Sequence, residues 1–117
     1  MTPKFLHQEF ARGKWFTLPL VTQLAHIGSE VARTRQWQHK DDASFRNAFE
    51  RALDLFDLTL EDSRWRGRRG EIALSRELFC GAALGENRYH TSLEDLDRYF
   101  LQFAVASSRV IANNANK

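Results

Sequence analysis

A chain of 117 residues, 43% hydrophobic and 27% charged, has the size and balance of one globular domain with its own core and is too apolar for a disordered chain. No apolar stretch approaches the roughly 20 residues that span a bilayer, and the charges in MTPKFLHQEFARGK fall where an export signal needs an apolar run. A net charge of +2 neither demands nor excludes nucleic acid, although a dedicated nucleic-acid binder is expected to be far more basic. The single cysteine, Cys80, has no internal disulfide partner, so a cytoplasmic location is expected.

In chain order, Thr2-Pro3 is expected to open a short helix carrying Phe5, Leu6 and Phe10 and ended by Gly13; residues 1–16 read as an N-terminal extension. The bundle domain is placed at 17–112. Thr17 is expected to cap a helix with Pro19 in its first turn, running to about Lys40. Along it Leu20, Leu24, Ile27 and Val31 form an apolar row. Ala25, Gly28 and Ala32 form a strip of small residues where another helix can approach closely.

Asp41 or Asp42 is expected to cap the next helix, ending near Asp62. Its carboxylates Glu50, Asp54, Asp57 and Glu61 fall within roughly 60° of one another on a helical wheel, an acidic seam. Phe45, Ala48, Phe49, Ala52, Leu53, Leu55, Phe56, Leu58 and Leu60 occupy the rest, about 220° of apolar circumference. So wide an apolar face belongs to the central helix of a bundle, or to one that also meets another subunit. Leu53 and Phe56 are expected to be fully buried.

SRWRGRRG then reads as a linker broken by Gly67 and Gly70, followed by a helix from about Glu71 to Leu84 that stops at Gly85. Thr91 and Glu94 are spaced as a capping box for a last helix carrying Leu93, Leu96, Phe100, Phe103, Ser107 and Val110. Residues 113–117 read as a disordered tail. The fold expected is all-α: an antiparallel up-down four-helix bundle with a short N-terminal helical extension.

Chemistry is sparse. No Glu-x-x-His occurs, so the seam lacks the ligand set of a di-iron bundle, and no metal or other cofactor is expected. Cys80, beside Phe79, reads as a packed thiol rather than a nucleophile. No glycine spacing matches a phosphate-binding loop. The densest local signal is Arg64, Trp65, Arg66, Arg68 and Arg69, able to bind anions or stack on bases. Pairing with carboxylates of the same chain or of a partner is the preferred reading, and nucleic acid the secondary one.

The blocks KWFTLPLVTQLAHIGSEVARTRQW, AFERALDLFDLTLED and RYFLQFA resemble a small prokaryotic family of all-helical proteins, over Lys14 to Ala106, with IGSEVAR and RALDLFDLTL the most specific. The resemblance implies a cytoplasmic helical bundle and carries no reaction. In size and helical layout the chain is also similar to HEPN domains, many of which are ribonucleases using an Arg, four to six residues, and a His at a dimer interface. Arg33 and His39 meet that spacing, although on an uninterrupted helix they point about 240° apart. The expected function is a non-enzymatic interaction or accessory bundle, oligomeric or bound to a protein partner, with a nucleic-acid-handling partner as one option and no membrane association. The alternative is a HEPN-like metal-independent endoribonuclease, or the toxin component of a nucleotidyltransferase pair.

Overall fold

Pro19 sets the start of the first long helix: its backbone is extended, no side chain caps the end, and its carbonyl accepts from Thr22 and Gln23. The helix begins at Leu20, whereas Thr17, the expected cap, turns its hydroxyl back to the Lys14 carbonyl at 2.6 Å. A computed structural model describes residues 13–86 and 89–115. Among these the regular elements are all helical: α1 (Leu20–Trp37), α2 (Asp42–Glu61), a 3-10 segment (Ser63–Arg68), α3 (Arg69–Leu84) and α4 (Leu93–Ala115). The helix expected from Thr2-Pro3 lies outside the described residues except for its expected stop, Gly13, which is itself helical, the turn coming after Trp15.

Side-chain caps form at α2, at the 3-10 segment and at α4, whereas α1 and α3 begin without one. Asp41 caps α2, accepting from the Ala43 amide at 3.3 Å and the Ser44 hydroxyl at 2.7 Å. The capping box of α4 is Ser92 with Asp95, one residue beyond the pair expected. The Ser92 hydroxyl accepts from the Asp95 amide at 3.0 Å, and the Asp95 carboxylate accepts from the Ser92 amide at 3.1 Å. The Ser92 amide, and after it the Ser92 hydroxyl, hold the Asp95 carboxyl below its usual range. The expected linker SRWRGRRG is helical almost throughout. Asp62 caps the 3-10 turn through the Arg64 amide, and α3 begins at Arg69 rather than Glu71. Gly85, at φ 78, closes α3, and the next amide, Glu86, returns to the Gly81 carbonyl at 2.8 Å. At the far end α4 continues through Ala115, so residues 113–115, read as tail, are helical.

Side-chain bridges give the directions. Thr22 meets Ser107 while Arg35 meets Asp97, so α1 and α4 run antiparallel. Gln23 with Asp62 and Arg51 with Glu30 set α1 against α2, and Arg76 with Asp57 and Phe79 with Phe49 set α2 against α3, each antiparallel. The connectivity is therefore up-down. The centre differs from expectation: α1, not α2, is flanked along its length by two helices, α2 and α4, while α3 packs chiefly on α2. Helix α1 can hold this place because Ile27 and Val31 are fully buried and Gly28 lets α4 lie close. A Cβ at residue 28 would sit 2.8 Å from the Phe100 Cβ.

The core joins Leu24, Ile27 and Val31 of α1, Ala52 and Phe56 of α2, Ile72, Phe79 and Ala83 of α3, and Leu93, Leu96 and Phe100 of α4. Phe56 lies between Phe79 and Phe100, with ring centroids 5.9 and 6.1 Å away. Phe56 is fully buried as expected; Leu53 is only partly buried, packed at the core's margin. The wide apolar face of α2 is thus shared between α1 and α3 and partly open at its edges.

Candidate functional site

The polar chemistry concentrates where α2 turns into the 3-10 segment. Asp62 is 4% exposed, and its carboxylate accepts from the Arg64 guanidinium, at 2.6 Å from Nη2 and 3.0 Å from Nε, and from Gln23 Nε2 at 3.1 Å. Arg64 also donates to the Leu18 carbonyl at 2.7 Å and lies 4.4 Å from the centre of the Trp65 ring. Gln23, fully buried, donates to the Trp15 carbonyl as well, and accepts from the Trp65 indole at 2.9 Å. The Trp15 indole donates to Thr59 at 3.1 Å. Trp15, assigned by sequence to the extension, is therefore built into the domain. The Arg64 guanidinium, more than desolvation opposes it, holds the Asp62 carboxyl down at about 2. The cluster's donors and acceptors answer one another, which makes it a clasp tying four segments together.

Most of the arginine block is similarly engaged. Arg68 pairs with Glu71 at 2.8 Å, and Arg69 donates to the Leu60 carbonyl at 3.0 Å, at the end of α2. Both stay exposed, as does Arg66, which makes no ion pair among the described residues. The acidic seam does not face the block as a unit. Asp57 is bridged by Arg76 of α3 at 2.9 Å, Glu50 and Asp54 are partly buried, and Glu61 is exposed at the helix end. Residues 64–69 and the seam thus adjoin only at the α2 terminus.

Arg33 and His39 are not brought into a common cluster. Arg33 is bound to Glu30 at 3.1 Å on α1, whereas His39 is exposed beyond the end of α1, in a left-handed conformation at φ 65. Glu30 also accepts from Arg51 at 3.3 Å. Cys80 is partly buried rather than fully packed, and burial pushes its thiol up, away from the thiolate a nucleophile requires. Among the described residues no group of three His, Cys, Asp or Glu side chains is placed to hold a metal ion, and no helix is long and apolar enough to cross a membrane.

A different surface emerges on α4. Its inner face carries Leu93, Leu96, Phe100 and Ser107, all buried. Its outer face carries Leu101 at 61% exposure and Val105 at 47%, while Ile111, four residues after Ser107 and in line with the buried row, is exposed past the last buried residue of the helix. From Tyr99 to Ala115 the only charged residue is Arg109. Comparison with protein-family models, with curated proteins and with solved structures finds no match. The α4 face was missed because its apolar residues were counted only along the buried row. The charge-poor run from residue 99 onward was the available signal: an exposed helix face ordinarily carries several charges, as α2 does with Arg46, Arg51, Asp57 and Glu61.

Proposed function

We propose that this chain works by binding: a non-enzymatic helical bundle that associates with itself, and through that assembly serves as an accessory protein. The observation that carries this reading is the outer face of α4, where Leu101 and Val105 lie in solvent on a stretch with one charge. An apolar helix face of this kind gains free energy when covered. The arginine block contributes less than its density suggests, because Arg64, Arg68 and Arg69 already bind groups of their own chain. Arg66 and the exposed edges of Arg68 and Arg69 remain available to an acidic partner.

A second reading, the HEPN-like ribonuclease, draws on one observation. Helix α1 ends at Trp37, so the wheel angle that separates Arg33 from His39 on a continuous helix does not apply to this pair. The two readings part in one set of assays on the full chain. Light scattering should give a mass above the monomer that rises with concentration, and incubation with RNA should leave it intact. A monomeric chain that cleaves RNA, losing activity in both Arg33→Ala and His39→Ala, would replace the first reading by the second.

A further inference from the structure

Asp97, Leu101, Val105 and Arg109 succeed one another at four-residue steps along α4. Such residues form one continuous ridge on a helix surface. The ridge has an acid at one end, a base at the other and two aliphatic side chains between. Reversed end for end, it is complementary to itself. We propose that a second copy of this chain packs antiparallel on this ridge, about a two-fold axis passing midway between Leu101 and Val105. This rests on the self-association proposed above and specifies its surface, occupant and register. Leu101 then meets the partner's Val105, and Asp97 meets the partner's Arg109, each contact occurring twice by symmetry.

The end groups suit that role. Asp97 is steadied by Arg35, whose Nη1 donates to one carboxylate oxygen at 2.8 Å, and the other oxygen has no hydrogen bond among the described residues. Arg109 makes no ion pair among the described residues. Along one side of the ridge Ala104, Ser108 and Ala112 are small, so a facing helix can come near on that side, while Arg98 and Gln102 border the other. Two arginines eleven residues apart, Arg98 and Arg109, offer little to a phosphate backbone or an anionic lipid surface, both of which are gripped by clusters of basic residues. Opposite charges at the two ends favour a partner with the reverse order, which this chain itself supplies. One helix face per copy lies at the small end of specific interfaces, so the dimer forms in a concentration-dependent equilibrium.

Two charge reversals test the register. Asp97→Arg alone, or Arg109→Asp alone, places like charges together at both ends of a homodimer. In an equimolar mixture of the two variants, the heterodimer restores both opposite pairs while each chain keeps its own internal environment. Sedimentation equilibrium across a concentration series should show each variant dimerising about tenfold more weakly than the native chain, with the mixture recovering native association as a one-to-one heterodimer. Mixed variants as weak as the single ones, or single variants that dimerise normally, would overturn the register. Leu101→Glu provides an independent measurement at a solvent-facing position, with circular dichroism reporting the fold, and should leave a folded monomer. A dimer that survives Leu101→Glu overturns this face while self-association stands. A native chain that is monomeric throughout overturns both.

Discussion

Gly28 and Asp62 show how much single residues decide here. At Gly28 the neighbour is the Phe100 Cβ, an atom fixed to the α4 backbone, so a methyl group can be admitted only by moving a helix. Gly28→Ala should therefore destabilise by about 1–3 kcal/mol, although alanine is the better helix former by about 1 kcal/mol. Gly70, inside the first turn of α3, has no atom within 4 Å of an added Cβ, so Gly70→Ala should stabilise by up to about 1 kcal/mol. Thermal or urea unfolding of both variants checks the contrast, and equal signs would refute it. At Asp62 the folded-state pKa of about 2 lies below the unfolded 3.8, so its contribution is complete above the unfolded value and disappears as pH falls from about 4 towards 2. The shift corresponds to about 2 kcal/mol, and Asp62→Asn should flatten the acid limb of the stability curve. Denaturant midpoints measured across that range provide the test. An acid limb as steep in the variant as in the native chain would assign it to other carboxylates.

Elements form here because local signals and tertiary burial agree, and they shift by a residue or two where those signals compete. Thr91 and Ser92 both offer a hydroxyl before α4. Asp95 answers Ser92, whereas Glu94 pairs with Arg35 and Arg98 and the Thr91 hydroxyl turns back to the Tyr89 carbonyl. Ser92→Ala should cost about 1 kcal/mol and Thr91→Ala a few tenths, measurable by thermal unfolding. In α2 the wheel was right about apolar character and incomplete about depth. Phe56, enclosed by Phe79 and Phe100, should lose about 3–5 kcal/mol on truncation to alanine. Leu53, at the margin, should lose clearly less, and equal costs would mean the margin is closed in solution. The glycines of SRWRGRRG suggest breaks in a linker, and the structure overrides that expectation. In fact Asp62 supplies a cap, and neither Gly67 nor Gly70 leaves helical structure.

At the scale of the whole molecule, α1 is the element to which α2 and α4 are both fastened, and α3 is held mainly from one side. Amide hydrogen exchange should accordingly be slowest around Ile27 and Val31 and faster on the outer turns of α3 near Leu74, where the side chain is exposed. Uniform protection across the helices would show that α3 is clamped as firmly as α1. Sequence by itself determined the helical class, four long helices, the C-terminal stop at Gly85, a cap at Asp41 or Asp42 and the close approach at Gly28, because periodicity, capping and glycine placement are local properties. Only the tertiary structure decided which helix lies at the centre, since α1 and α2 both carry enough apolar surface and nothing local ranks them. It also decided that Arg64 and Asp62, neighbours in sequence, would be drawn into one clasp with Trp15, Gln23 and Trp65 from elsewhere. The same holds for the outer face of α4. Leu101 and Val105 are apolar in any reading, and they become a surface only because α1 covers the opposite side of the helix and leaves theirs in water.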